Sequence, residues 1–236
     1  MADLAVEILD LRKIYRMGET EVKALDGVSL AIPKGAFVVL IGPSGSGKST
    51  MLYLIGGLDT PTSGSITVEG EAVEKMDENT LARYRREKLG FIFQSFNLVS
   101  SMTAVDNVSF PLRFAGIRKK ERLQRSKTLL SAVGLEDRVG HRPTELSGGQ
   151  QQRVAVSRAL INDPDLILAD EPTGNLDTTS GMAIMQLLSD LNKQGKTIIV
   201  ATHDPRMLAF ATDVVHLIDG KRVSEQTYHE IIQQLG

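Results

Sequence analysis

Three short segments of the chain are apolar at nearly every position, and each is followed by a polar turn that contains Gly or Asp. They are Phe37 to Ile41, Asp165 to Ala169 and Thr197 to Ala201. A strand that helices cover on both faces is apolar throughout, so these segments predict a parallel sheet in an α/β core. Ligands of such sheets lie beyond the carboxyl ends of the strands, and we therefore expect the chemistry in these turns.

The first third of the chain instead alternates between apolar and polar residues. Alternation is typical of half-buried antiparallel strands that pair through tight hairpin turns. The same signal returns near the end, before a short segment with helical periodicity. The predicted elements are strands near Ala5 to Leu11 and Val28 to Ile32, an Ile66 to Val73 hairpin turning at Glu69 and Gly70, a last hairpin turning at Asp219 and Gly220, and a helix over Ser224 to Leu235.

Between about Ser95 and Ile161 the strand signal fades and helical periodicity dominates. Lys119 to Val133 and a long segment from Ser147 onward are predicted helices. Because the α/β pattern resumes afterwards, we interpret this stretch as an inserted helical subdomain. The expected organisation is a single domain over 1–236, with a core lobe of 1–94 and 162–236 and a helical lobe of 95–161.

Composition narrows the class of protein. The 236 residues are 42% hydrophobic and 24% charged, which is typical of a globular domain long enough to bury a large core. A formal net charge of −2 argues against general nucleic-acid binding, and no apolar stretch approaches the ~20 residues that span a bilayer. The start has no basic segment leading into an apolar one, so a secretory signal is not expected. There is no cysteine, which is compatible with a reducing cytoplasm.

A glycine-rich loop follows the first apolar strand and precedes a helical stretch. It matches the pattern G-x-x-x-x-G-K-[ST], in which backbone N–H groups and the helix N-terminus surround phosphate oxygens. Lys48 then reaches the β- and γ-phosphates, and the Ser49 hydroxyl binds Mg²⁺. A functionless Gly/Ser-rich turn would not explain why strand, loop, Lys and Ser are all in register. The predicted ATP-binding residues are Gly42, Pro43, Ser44, Gly45, Ser46, Gly47, Lys48, Ser49 and Thr50.

Two adjacent carboxylates, Asp170 and Glu171, end the second apolar strand. Consecutive strand residues point to opposite sides, so Asp170 can hold Mg²⁺ while Glu171 addresses an attacking water. Taken alone, a solvated turn would be an equal alternative, because Pro172 follows and ends the strand. The presence of the Lys48 loop favours the magnesium interpretation.

The segment Leu146-Ser-Gly-Gly-Gln150 fits the S-x-x-Q capping box of a helix start. Capping leaves Gly148 and Gly149 unexplained, since glycine costs up to about 1 kcal/mol relative to Ala in a helix interior. With Gln151-Gln-Arg153 after it, the segment resembles the signature of the ABC transporter ATPases. In that family the signature of one subunit covers the ATP that the loop of the other subunit holds, which implies that Ser147, Gly148, Gly149 and Gln150 act in trans.

Further motifs resemble those of the same family in the same order. Tyr15 occupies the position of an aromatic ring that stacks on adenine, and Gln94 resembles the glutamine that senses phosphate and contributes to the metal site. Asp177 resembles the D-loop, and His203 resembles the histidine that lies near the γ-phosphate. The resemblance implies catalytic roles for Glu171, His203 and Gln94, and a magnesium site at Ser49, Gln94 and Asp170.

The resemblance implies an ATPase that dimerises head to tail around ATP and drives an integral membrane permease. Such a subunit lies on the cytoplasmic face of the inner membrane through its partner. The runs Gly56 to Gly64, Leu89 to Leu98 and Ala169 to Asp177 are similar to the branch of lipoprotein-release, macrolide-export and cell-division ATPases. A DNA-repair or ribosomal ATPase and a small-molecule kinase remain alternative classes, and cargo, direction and homo- or heterodimer stay open.

Overall fold

Two β-sheets form the frame of the protein in the computed structural model, which describes residues 3–18 and 20–235. One sheet is antiparallel with the order β2-β1-β4-β5, and the other is mixed with the order β10-β9-β3-β8-β7-β6. In chain order the strands are β1 (Leu4–Met17), β2 (Thr20–Pro33), β3 (Phe37–Ile41), β4 (Ser63–Val68), β5 (Glu71–Ala72), β6 (Leu89–Ile92), β7 (Leu166–Asp170), β8 (Thr197–Thr202), β9 (Asp213–Ile218) and β10 (Lys221–Val223).

The α-helices lie between runs of one to three strands, except in the middle of the chain, where three helices come in succession. In chain order the helices are α1 (Lys48–Ile55), α2 (Glu78–Glu87), α3 (Ala104–Ser109), α4 (Lys119–Ala132), α5 (Gly148–Leu160), α6 (Thr178–Lys193) and α7 (Glu225–Leu235), with short 3₁₀ turns between some of them. In the described residues no helix is sufficiently long and apolar to cross a bilayer.

The three apolar segments are confirmed as β3, β7 and β8, which pair in parallel at the centre of the mixed sheet. Every residue of these strands is buried. Alternate side chains enter two different hydrophobic clusters: Val38 and Leu40 pack with α1, whereas Phe37 and Val39 pack with α6. Two-sided burial is the physical reason for the unbroken apolar pattern.

The antiparallel sheet is more extensive than the alternating segments predict. β1 and β2 pair from Leu4 opposite Pro33 to Met17 opposite Thr20, with register shifts on the way. Asp10 lies at one of these irregularities, with a φ of 44°. The predicted hairpins are both present, and their turns place Glu69-Gly70 and Asp219-Gly220 in the left-handed region.

Residues 95–161 contain α3, α4 and α5 and, over this fully described stretch, no strand. These helices form a hydrophobic cluster of their own around Val108, Leu130 and Val154. The predicted helix over Lys119 to Val133 is α4, which ends one residue earlier. The fold class is therefore confirmed: an α/β core with a parallel sheet, an antiparallel N-terminal sheet and an inserted helical segment.

Candidate active site

The carboxyl ends of β3, β6, β7 and β8 meet at one edge of the mixed sheet, because these strands are parallel neighbours. A cavity of about 670 Å³ opens at this edge. Its walls bring together three predicted catalytic residues that are far apart in sequence, Gln94, Glu171 and His203. The rest of its lining is Val22, Ala24, Pro43, Ser44, Gly45, Ser46, Gly47, Lys48, Ser49 and Thr50.

The loop between β3 and α1 forms the floor of this cavity and needs glycine at a specific position. Gly47 has a φ of 98°, and a Cβ there would lie 2.3 Å from the carbonyl oxygen of Ala24. The loop continues directly into α1, whose first turn has neither an acidic residue nor a side-chain cap in this described part of the chain. Uncapped amide groups at a helix start form a binding site for anions.

Lys48 is the cation of this loop and is only 6% exposed. Its Nζ donates to the carbonyl oxygens of Gly42, at 2.8 Å, and Pro43, at 2.9 Å. Burial lowers the pKa of Lys48 below its ordinary value, although the nearby carboxylates of Glu171 and Asp170 oppose that shift. The ammonium group is thus held within the loop, facing two negative charges.

Asp170 ends β7 and points toward α1. The Ser49 hydroxyl donates to its Oδ1 at 2.7 Å, and the Tyr53 hydroxyl donates to its Oδ2 at 2.9 Å. Burial and this bond to Asp170 raise the pKa of Tyr53 to about 12. Sequence reasoning missed Tyr53, although its position four residues after Ser49 places both side chains on one face of α1.

Glu171 points the other way, toward the end of β8. Its Oε1 lies 2.9 Å from Nδ1 of His203, and its Oε2 accepts a hydrogen bond from the Thr202 hydroxyl at 3.1 Å. Its backbone has a φ of 45°, and its N–H donates to the carbonyl oxygen of Ala201 at 2.8 Å. A left-handed non-glycine residue costs of order 1 kcal/mol or more and is typical of functional sites. Thr202 is a second residue that sequence reasoning missed.

Tyr15 is not among the residues that line the cavity, but its side chain bonds with that of Thr50, which does line it. The Tyr15 hydroxyl donates to Oδ2 of Asp59 at 2.8 Å, and Lys13 Nζ donates to Oδ1 of Asp59 at 2.6 Å. Lys13 also lies 4.9 Å from the centre of the Tyr15 ring. Burial raises the pKa of Asp59, but the bonds from Lys13 and Tyr15 outweigh it and lower that pKa overall.

The predicted signature residues do not line the cavity. Ser147 caps α5, and the reciprocal bonds of the capping box with Gln150 are both formed. Packing within the chain explains the glycine at position 149, since a Cβ there would lie 2.8 Å from the Ser180 hydroxyl oxygen. A Cβ added at Gly148 would instead lie at ordinary contact distance from its neighbours. Asp177 is exposed and caps α6 by accepting from the N–H of Ser180 at 3.0 Å.

Two hydrogen bonds join α5 to the loops that follow Gln94 and Glu171, and a third bond joins these two loops to each other. Gln152, which is fully buried, donates from Nε2 to the carbonyl oxygen of Pro172 at 2.8 Å. Arg158 donates to the carbonyl oxygen of Phe96 at 2.8 Å, and Asn175 donates to that of Gln94 at 2.9 Å. The signature helix is therefore bonded to the loops next to two of the predicted catalytic residues.

A glycine-rich loop that precedes a helix start, with a buried lysine and two carboxylates opposite it, defines a P-loop nucleotide-binding protein. The family model "ABC transporter" matches residues 25–174, which is more than half of the chain. The chain belongs to this family and is an ATP-binding cassette, an ATPase.

Proteins similar to this chain include an uncharacterised ABC transporter ATP-binding protein of Thermotoga maritima, which is 52% identical over 216 residues. The match covers 92% of this chain and 92% of that protein. The macrolide export ATP-binding/permease protein MacB of Hyphomonas neptunium is 50% identical over 93% of this chain. This chain covers only 34% of that relative. MacB belongs to the branch that the sequence runs indicated.

Among solved structures, the chain resembles the ATP-binding cassette MJ0796. A dimeric structure of its post-hydrolysis state bound to ADP and Pi has a TM-score of 0.87 and 45% identity, and the match covers 93% of this chain and 97% of that one. A second dimeric structure of MJ0796, described as a bacterial ABC transporter cassette, has a TM-score of 0.88.

Proposed function

We propose that this ATPase drives a membrane-embedded partner by closing and opening a head-to-tail dimer around ATP. The observation that carries the proposal is the separation of the signature from the cavity. Ser147 and Gln150 form a helix start outside the cavity of their own chain. A second copy is the natural source of the missing wall, and the dimeric cassettes of MJ0796 support this assembly.

ATP fits the arrangement of charges along the cavity. Tyr15 would stack on the adenine, an interaction worth about 1 kcal/mol. The backbone N–H groups of residues 42–50 and the start of α1 would surround the phosphates, where Lys48 would exchange its carbonyl partners for the β- and γ-phosphate oxygens. The phosphate oxygens would also offset the loss of hydration of the buried ammonium group.

The residues next to the phosphate loop suit Mg²⁺ by their chemistry. A serine hydroxyl, a carboxylate and the side-chain amide oxygen of Gln94 are hard oxygen donors, which Mg²⁺ prefers. Within the described chain no three His, Asp or Glu side chains converge to hold an ion by themselves. This fits an ion that shares its ligands with substrate phosphates and water. Ser49, Gln94 and Asp170 would hold it, and it would neutralise charge on the phosphate oxygens.

Glu171 and His203 would carry the hydrolytic step. Glu171 Oε2 is oriented by Thr202 and Oε1 by His203, so the carboxylate is held where it can accept the proton of an attacking water. His203, on the same wall of the cavity, would stabilise the γ-phosphate as the bond to it breaks. Release of phosphate would remove the negative charge that holds the two copies together.

A groove between α2, β6 and the helical segment would receive the membrane partner. It has a volume of about 540 Å³, and Phe91, Phe93 and Pro111 are among the apolar residues that line it. Phe114 is 65% exposed at its rim. Arg158 lines the same groove and is bonded to the loop after Gln94. A partner that docks in the groove would therefore act on this loop and, through Gln94, on the cavity.

The working location follows from this partner. We place the chain at the cytoplasmic face of the membrane, attached through the subunit that occupies the groove. In MacB, whose name combines ATP-binding and permease, this chain corresponds to about a third of the polypeptide. The core lobe of 1–94 and 162–236 would hold nucleotide, and the helical lobe of 95–161 would carry the signature and contact the partner.

Glu171→Gln tests this function directly. The variant should bind ATP with unchanged affinity but lose turnover about 100- to 10,000-fold, the usual contribution of a general base. Because ATP then persists, the variant should be a monomer without nucleotide and a dimer with ATP, as measured by light scattering after gel filtration.

Lys48→Ala is the matched control, since it should fail to bind ATP or to position the γ-phosphate and so remain monomeric. Wild-type turnover in Glu171→Gln would remove this residue from the role of base. A monomer that binds ATP without ever dimerising would overturn the head-to-tail assembly.

A further inference from the structure

Asp170 is held by two hydroxyl groups, one on each of its oxygens. Ser49 donates to Oδ1 at 2.7 Å and Tyr53 donates to Oδ2 at 2.9 Å. Asp170 as a whole is only 6% exposed. The signature, glycine-loop and carboxylate motifs account for Ser49 and Asp170, but they leave Tyr53 without a role.

The ring of Tyr53 is fixed by packing that does not depend on Asp170. Its centroid lies 5.9 Å from that of Phe91, which in turn stacks on Phe93 at 4.3 Å. The ring also packs against the cluster that contains the buried face of α1. The hydroxyl is therefore presented at a position that the fold sets, and Asp170 is oriented toward it.

We propose that Tyr53 is a positioning residue for magnesium, whose hydroxyl fixes the rotation of the Asp170 carboxylate. The inference rests on the proposed function, in which Asp170 serves Mg²⁺. With one donor on each oxygen, the carboxylate keeps a free lone pair on each for the ion or its bound water. Ser49 can bind the ion through its oxygen while still donating its hydrogen to Asp170. Tyr53 would not bind the ion itself, so its hydrogen bond to Asp170 would stay in place when the ion binds.

Removal of this anchor should act on metal binding rather than on folding. A buried carboxylate that loses one of two donors is less well stabilised as an anion, and only the bond from Ser49 would then orient it. Partners that orient a metal ligand typically change metal affinity or activity 10- to 100-fold when removed. If Tyr53 served only in packing, Tyr53→Phe would keep the ring against Phe91 and leave metal binding unchanged.

The experiment titrates Mg²⁺ and follows ATP binding by calorimetry, with a parallel measurement in EDTA. Tyr53→Phe should raise the Mg²⁺ concentration at half-effect about 10-fold, the low end of the range for ligand-orienting partners, and leave ATP affinity in EDTA unchanged. Tyr84→Phe is the matched control, because it also removes a hydrogen-bonded tyrosine hydroxyl, one that donates to the carbonyl oxygen of Ile55 at 2.7 Å. It should keep the wild-type Mg²⁺ midpoint.

A Tyr53→Phe variant with the wild-type Mg²⁺ midpoint would overturn the proposal. An equal loss of ATP affinity with Mg²⁺ and in EDTA would do so as well, since it would indicate a damaged cavity instead of a misplaced metal ligand. Failure of the underlying function is distinguishable, because the wild-type protein itself would then show no Mg²⁺-dependent gain in ATP binding.

Discussion

Asp170 and Glu171 are neighbours in the chain, yet their carboxylates have different surroundings. Asp170 ends the regular strand and turns toward the hydroxyl groups of α1, whereas the left-handed backbone of Glu171 turns its side chain toward β8. One carboxylate is thus placed beside the phosphate loop and the other beside His203. This separation suits a division of work between a metal ligand and a general base.

Asp59 provides a test of how Tyr15 is oriented. Asp59→Ala removes the acceptor of both the Tyr15 hydroxyl and Lys13, so the ring should lose its fixed orientation beside the cavity. We expect the ATP affinity of Asp59→Ala to fall about 5-fold, which corresponds to the loss of roughly 1 kcal/mol from one hydrogen bond. Calorimetric titration of the variant and the wild type with ATP measures this difference in affinity.

Asp190→Ala is the control for this variant, since it removes an exposed aspartate that also bonds a lysine and a second side chain. It should leave ATP affinity unchanged. If Asp59→Ala bound ATP as tightly as the wild type, Tyr15 would not depend on Asp59 for its orientation.

Sequence reasoning found the candidate residues that lie in local motifs and missed those defined by distant contacts. Lys48 follows the loop after one apolar strand and Asp170 ends another, so strand pattern and motif identify them together. Tyr53 and Asp170 are 117 positions apart, and Tyr15 and Asp59 are 44 apart. Such pairs depend on how β7 and β1 are placed next to α1, which no local pattern specifies.

At the level of elements, the strands that are buried on both faces were the most predictable. β6 was missed because it has only four residues, one of which is Gly90. A Cβ at Gly90 would lie 2.8 Å from the carbonyl oxygen of Ala159 on α5, so close packing of the helical segment determines this residue. The start of α5 was predictable because its capping box is encoded within four residues.

The contact between β9 and α7 should make stability depend on pH. His216 of β9 is 8% exposed, and its ring lies 4.8 Å from that of Tyr228 on α7. Burial lowers the pKa of His216, as does the neighbouring His229, while Glu225 opposes the shift. The unfolded chain, with a histidine pKa of about 6.5, therefore binds more protons than the folded chain as the pH falls below that value.

Stability should thus decrease on acidification from about pH 6.5, and His216→Phe should reduce this decrease. Melting temperatures at pH 7.5 and 5.5 measure the effect, with His141→Gln as a histidine variant outside this cluster. Equal acid-induced shifts in the wild type and His216→Phe would show that this contact is not the source.

At the level of the whole molecule, mixing two defective variants tests whether each ATP site is shared between two copies of the chain. Ser147→Arg should block the signature but leave its own phosphate loop intact, and Lys48→Ala should do the reverse. Each variant alone has no complete site. In a mixed dimer one site combines the intact loop of the first copy with the intact signature of the second.

Mixing equal amounts should therefore restore up to about half of the wild-type turnover per dimer, since only mixed dimers can close around ATP and each has one working site of two. ATPase rates of the mixture and of the separate variants measure this. Activity no greater than that of the separate variants would exclude shared sites.

The hydrogen bond from Gln152 to the carbonyl oxygen of Pro172 would have a consequence for the timing of the cycle in the proposed dimer. It joins α5, whose start would contact the neighbour's nucleotide, to the residue directly after Glu171, which would act on the chain's own nucleotide. A shift of either loop on cleavage would then be transmitted to the opposite cavity through a continuous set of bonded atoms. The two cleavage events would follow one another instead of occurring independently, and a dimer with one ATP and one ADP would be a distinct intermediate.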